Sequence, residues 1–267
     1  MKTKIFTLLL LSVFFACKQK DTEKTNTVDK KKKETPILQT NQTFKNEKKC
    51  KSLFVIAEDR SGSTTNHRKL TANDYKMLLE AFQKNNSGQV AVRVIGNPAP
   101  QQREFYILKI ASKKDYLEME KADPLLSEKT ALKKKNKKIA EENKKIETDN
   151  LKQIQKFIQE KITPNIIDYK PYKNKDITNV KDALEHLQTK INEPTFRNYD
   201  KIEVLIVSDG IHDASKLKEK LQFKANNKLQ LYLIGWKDKS VFDNVQNKAN
   251  FESIDGFIEY YNETKCN

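Results

Sequence analysis

The chain alternates short apolar runs with segments of helical period. Leu53, Phe54, Val55 and Ile56 lie in a near-continuous apolar stretch over residues 52–58, and "QVAVRVIG" (89–96), "EFYILKIA" (104–111), "KIEVLIVSDG" (201–210) and "LQLYLIGW" (229–236) have the same character. Runs of this length read as strands, and those without polar alternation read as strands covered on both faces, the habit of parallel sheets. Between the first two, "ANDYKMLLEAFQKN" (72–85) places Tyr75, Leu78, Leu79 and Phe82 on one helical face, with Thr71 as N-cap. A second helix over "DITNVKDALEHL" has the apolar face Val180, Ala183, Leu184, Leu187 and Ile191, and short helices are expected after each of the two later strands. The turn-rich "NPAPQQ" separates the second and third strands. This alternation predicts an α/β fold with a doubly wound, mostly parallel sheet flanked by helices.

Residues 113 to about 163 interrupt the pattern. They are dense in Lys and Glu, and Leu132, Ile139 and Ile146 form a thin stripe at seven-residue spacing, with Asn136, Asn143 and Asn150 running beside it at the same period. Asparagine repeated at seam positions weakens a coiled coil. The segment is therefore expected to be a long charged helical insertion, solvated or folded as a hairpin, that packs on the domain through Ile154 to Ile162. A partner helix along the stripe is a second reading.

At 267 residues, 37% hydrophobic and 33% charged, the chain suits one globular domain with solvated extensions. Residues 1–16 carry basic Lys2 and Lys4 and then the apolar run Ile5 to Phe15, the pattern of a secretory signal peptide too short to span a membrane permanently. The ending "VFFAC" resembles a bacterial lipobox, which implies lipidation at Cys17 and a lipid-anchored envelope protein of a Gram-negative bacterium, most simply at the outer membrane with its face undecided. An ordinary signal peptide cut elsewhere is the alternative. Residues 17–50 are polar and basic, including Lys30 to Lys33, and read as a disordered tether. Formal charge +15 suggests nucleic acid at first sight. Export, the mixing of lysines with acids and the lack of a basic motif with interleaved aromatics argue against it, and an anionic membrane surface is the simpler counterpart. Cys50 and Cys266 bracket residues 51–266, the expected folded domain; export permits a disulfide between them, clasping the first strand to the last helix, and two free thiols are the other reading.

The candidate chemistry lies at strand ends. The first strand runs out into Asp59-x-Ser61-x-Ser63, Thr178 precedes the second helix, and "VLIVSDG" places Asp209 at the tip of the next buried strand. These are all oxygen donors, suited to a hard cation. Taken in order, Asp59, Ser61, Ser63, Thr178 with Ala183-Leu184 following, and Ser208-Asp209-Gly210 resemble the von Willebrand factor type A (vWA) domain and its metal-ion-dependent adhesion site, over roughly Ser52 to Tyr261. The resemblance implies that Ser61 and Ser63 bind Mg2+ or Mn2+ directly, with Ca2+ less favoured, that Thr178 does so directly or through water, and that Asp59 and Asp209 act largely through waters. It also implies that an open position accepts a carboxylate from a protein partner. Glu58 and Ile177 stand where an apolar residue and a glycine are usual in that family, and Arg60 adds a cation that either weakens metal binding or pairs with Glu58.

Two rival classes follow from the same residues. A hydrolase would use Ser61 or Ser63 with His212 and Asp209 or Asp213, but no Gly-x-Ser-x-Gly elbow is present and the protein is not expected to be an enzyme. An envelope scaffold lipoprotein would act through the charged insertion without metal.

Overall fold

The computed structural model describes residues 44–46, 49–61, 68–98, 103–119, 124–174, 178–211, 223, 227–237 and 239–264. The expected signal peptide, the lipidation site Cys17 and nearly all of the tether lie outside these residues, as does the helix expected directly after "VLIVSDG". Six strands make one sheet: β1 (Cys50–Asp59), β2 (Asn86–Ile95), β3 (Tyr106–Ile110), β4 (Lys201–Val207), β5 (Leu229–Ile234) and β6 (Lys248–Phe251). Their spatial order is β3-β2-β1-β4-β5-β6, with only β3 antiparallel to its neighbour. The order reverses between β1 and β4, and in doubly wound sheets the crevice beyond the carboxyl ends of such a pair is where ligands bind.

The apolar runs are strands because both faces are covered. Along β1, Phe54 and Ile56 face a cluster built with α1 (Ala72–Asn85) and α4 (Ile254–Glu263), while Leu53, Val55 and Ala57 face one built with α3 (Val180–Ile191). Each fully buried side chain of this kind contributes about 1.5–3 kcal/mol relative to exposure. Helix α1 has the predicted bounds and N-cap: the Asp74 N–H donates to Thr71 Oγ1 (3.2 Å) and the Thr71 N–H to Asp74 Oδ2 (2.7 Å). That reciprocal cap satisfies two donors that a helix start leaves open. Arg68 then pairs with both Asp74 and Asp255, tying the first turns of α1 and α4 together.

Glu58 is fully buried on the α1 face of β1. It accepts from the Leu70 N–H (2.6 Å), Tyr75 Oη (2.8 Å) and Arg60 Nη2 (2.9 Å). Arg60 therefore turns away from Asp59 and pairs with Glu58. Burial pushes the Glu58 carboxyl from 4.5 up to about 7, against the opposing pull of Arg60 and the hydrogen bonds. A raised folded-state value means that the folded protein holds this proton more tightly than the unfolded chain. The stabilisation is full below pH 4.5 and is lost as pH rises through about 7. Glu58→Gln should remove that slope, so the variant gains on wild type by about 3 kcal/mol between pH 4.5 and pH 8 in urea unfolding with EDTA present. Parallel pH profiles for the two proteins would contradict it.

The insertion differs from expectation in a specific way. Residues 111–119 are neither helix nor part of the sheet: they leave the bottom of β3 as an irregular run that the α2 side chains hold, and helix begins only with α2 (Leu126–Phe157), which continues as a wider π-helical stretch over Ile158–Ile167. The packing end is as expected, with Ile154, Phe157, Ile158, Ile162 and Ile166 buried in the α1 cluster. The three asparagines prove to be clamps. Asn150 Oδ1 accepts from the Ala111 N–H (3.1 Å) and its Nδ2 donates to the Ala111 carbonyl (3.0 Å). Asn143 does the same to Lys114 (2.7 and 2.8 Å) and Asn136 to Leu117 (2.8 and 2.9 Å). Seven helical residues rise about 10.5 Å, and three extended residues span about 10 Å. A heptad of asparagines thus meets every third peptide of an antiparallel segment. The repeat builds a ladder within the chain and leaves no bare coiled-coil seam.

Candidate functional site

The parallel register carries the ends of β1, β2 and β4 to one level: Asp59 is paired with Ile95, and Glu58 with Val207. Asp59 and Ser61 project on the α3 side, and both are buried. Asp59 Oδ1 accepts from the Ser61 N–H (2.9 Å) and Ser61 Oγ (2.7 Å), fixing the turn that leaves the strand. Asp59 Oδ2 accepts from Ser208 Oγ (2.8 Å), so the exits of β1 and β4 are cross-linked by one carboxylate.

Thr178 arrives from a third segment. It sits one residue before the N-cap of α3, which is Asn179; the Asn179 side chain accepts from the Asp182 N–H (3.1 Å). Asp182 in turn meets buried Arg93 of β2 (3.2 Å), whose guanidinium lies over the Phe105 ring at 5.6 Å. These contacts pin the start of α3 against the sheet. Thr178, fully buried, then donates through Oγ1 to Ser61 Oγ (2.6 Å).

Asp209 follows β4. Its Oδ1 accepts from the Ile211 N–H (3.0 Å). Its Oδ2 is buried and has no hydrogen-bond partner among the described residues. Gly210 takes φ +77, and a Cβ there would fall 2.9 Å from the Trp236 ring, so the turn that presents Asp209 requires glycine. The Asp59 carboxyl is pushed up first by burial and further by the nearby Asp209 charge, while the bonds from Ser61 and Ser208 pull it down.

Asp59, Ser61, Thr178 and Asp209 therefore come together from three separate segments at the carboxyl end of the sheet, at the point where strand order reverses. Ser63, His212 and Asp213 lie outside the described residues. Ser208 is the polar participant to which sequence reasoning gave no role; its position one residue after a buried strand and before an acid was the available signal. Among the described residues no cluster of three or more His, Cys, Asp or Glu is placed to hold a metal. The group here has two carboxylates and two hydroxyls, a donor set for a hard cation. Asp209 Oδ2 stands near the buried Asp59 carboxyl as a buried oxygen with no hydrogen-bond partner among the described residues.

At the opposite end of the sheet, Cys50 is disulfide-bonded. Its sheet partner is Asn86, and the preceding Asn85 donates through Nδ2 to the Thr264 carbonyl (2.8 Å) just after α4. Cys17 and Cys266 lie outside the described residues.

Neither protein-family models nor curated proteins give a match to this chain. The fold and site together define an α/β protein with a mostly parallel six-stranded sheet and a buried oxygen cluster at its strand-order reversal.

Proposed function

We propose that this is a vWA-type domain held at a bacterial envelope membrane by a lipid on Cys17, which binds a divalent cation and uses it to capture an acidic group of a protein partner. The observation that carries the reading is the convergence of Asp59, Ser61, Thr178 and Asp209, with Asp209 Oδ2 buried and without a hydrogen-bond partner among the described residues. These four residues, with Ser63 two positions further along the sequence from Ser61, would hold Mg2+ or Mn2+. A bound cation supplies a Lewis-acidic position for a carboxylate oxygen. The chain's own residues keep that position incomplete: hydroxyls bring no charge, and Asp59 is already engaged by Ser61 and Ser208. The strand order and single antiparallel strand support the vWA reading, and Arg60, bound to Glu58, does not oppose a cation.

The test is calorimetric titration of magnesium into the protein, followed by capture from solubilised envelope in magnesium or in EDTA. Saturable 1:1 magnesium binding, and a captured protein released by EDTA, are expected. Capture that persists in EDTA and disappears when residues 113–160 are deleted would replace this reading with a scaffold acting through the insertion.

The partner of Cys50 is proposed to be Cys266. A single residue, Lys265, separates Cys266 from Thr264, which already lies beside the β1–β2 end where Cys50 sits. Non-reducing peptide mass spectrometry of the exported protein should show a Cys50–Cys266 linked peptide; a Cys50–Cys17 link would displace both the clasp and the lipid anchor.

A further inference from the structure

Helix α2 and the segment clamped to it form an arm. Asn150, which holds Ala111 at the foot of β3, is level with the bottom of the sheet, and from there the helix runs about 36 Å to Leu126 at 1.5 Å per residue. The arm projects from the end opposite the oxygen cluster, because β3 descends from Tyr106 beside Val92 to Ile110 beside Gly88. Its far end exposes apolar side chains among charged ones, with the exposed acids Asp115 and Glu118 on the segment that carries Leu117 and Met119 and lysines along the helix. Leu126 is 80% exposed, Leu125 69%, Leu117 46% and Met119 36%. Behind them Lys129, Lys133, Lys134, Lys135, Lys137 and Lys138 are all exposed, against a single acid, Glu128, between residues 126 and 138.

The upstream chain joins the domain on the same arm. Asn46 accepts from the Tyr116 N–H (2.6 Å) and donates to the Tyr116 carbonyl (2.9 Å) and to Glu118 Oε1 (3.0 Å), and the Phe44 ring lies 5.1 Å from the Tyr116 ring. The chain that precedes Phe44 therefore leaves from beside Leu117, close to the apolar end. Only the 27 residues from Cys17 to Thr43 separate a lipid at Cys17 from this end of the arm.

We propose that the arm's tip is a membrane contact: Leu125 and Leu126 enter the interface of an anionic bilayer, and the lysines that follow them on α2 lie toward its headgroups. Small apolar groups entering the interface and lysines near an anionic surface each add affinity, the second in a salt-dependent way. The contact stands the domain upright and turns the oxygen cluster away from the membrane, where a partner can reach it. The inference rests on the membrane-anchor half of the proposed function and not on the cation half.

The full chain, reconstituted in vesicles of phosphatidylcholine with or without phosphatidylglycerol, is treated with an amine-acetylating reagent and read by mass spectrometry. Lysines 129–138 should label roughly fivefold more slowly on the anionic vesicles, with Lys76 of α1 unchanged, and the difference should vanish in about 0.5 M salt. Leu125→Glu with Leu126→Glu should abolish it without loss of helix, since both positions are exposed and an acid at a helix start is favourable. Equal labelling on both vesicles overturns the contact. So does protection without vesicles that grows with protein concentration, which assigns the tip to a second copy, and protection only after soluble envelope proteins are added, which assigns it to a protein. The mass of the N-terminal peptide in the same sample reports acylation of Cys17, so failure of the anchor and failure of the tip give different results.

Discussion

In metal-free buffer Asp209→Asn should raise the melting temperature, and it should erase the further rise that magnesium gives the wild type. Asp209 Oδ2 is buried with no hydrogen-bond partner among the described residues, and its charge adds to the upward push that burial gives the Asp59 carboxyl. Two carboxylates in one desolvated site disfavour each other's charge. The amide keeps the volume, keeps an oxygen for the Ile211 N–H, and removes the repulsion. A gain of about 1–2 kcal/mol is expected, or several degrees for a domain of this size. On the proposed reading a bound cation would neutralise the same repulsion in wild type, and saturation at a hundred times the dissociation constant would add about 2.7 kcal/mol. The amide variant should bind magnesium at least about a hundredfold more weakly, because a neutral oxygen replaces the charge nearest the site. Scanning calorimetry in EDTA and in magnesium, for both proteins, reads the two effects together. An amide variant that melts lower in EDTA and rises as much as wild type in magnesium would make Asp209 a structural acid and remove the cation reading.

The opposite signs of those two effects explain why the oxygen cluster was legible before any fold was known. Asp59 and Asp209 end apolar runs that have no other reason to finish in acids, and Ser61 and Thr178 follow at positions where strand exits and helix starts normally carry hydroxyls. Stability alone would not place two buried carboxylates side by side. Helix α1 was equally legible, since Tyr75, Leu78, Leu79 and Phe82 keep a helical period and Thr71 and Asp74 cap it within three residues. Strand β6 was not: its four residues, Lys248 to Phe251, include one large apolar side chain, and only the edge of β5 makes them a strand. The Glu58–Arg60–Tyr75 network was half legible. Charge proximity in sequence suggested the pair, but the Tyr75 hydroxyl and the Leu70 N–H that also donate to Glu58 come from α1 and the residues before it, and the Leu70 carbonyl accepts from Arg60 Nη2 and so helps set which way Arg60 turns.

The asparagine repeat was visible and pointed to the wrong physics, because a heptad pattern on a helix normally describes what another helix would meet. Here the partner is a non-helical segment, and a carboxamide matches a peptide group donor for acceptor. Replacing Asn136, Asn143 and Asn150 together by Leu should therefore separate two properties. The helix should persist, since Leu has the higher helix propensity and extends the stripe of Leu132, Ile139 and Ile146. The clamped segment should not, because six hydrogen bonds vanish, worth about 0.5–1.5 kcal/mol each and so about 3–9 kcal/mol of local stability. The ion pairs Lys113–Glu147 and Lys114–Glu142 remain but are exposed and hold little. In native-state hydrogen exchange the amides of Ala111, Lys114 and Leu117 should open at least about a hundredfold faster, with the amides of β1 and β4 unchanged. Proteolysis should move to residues 111–119. Exchange that stays slow at those three amides would mean that Asn46, gripping Tyr116 from the other side, is sufficient to hold the segment, and the ladder would then be a register mark with no share in the arm's stability.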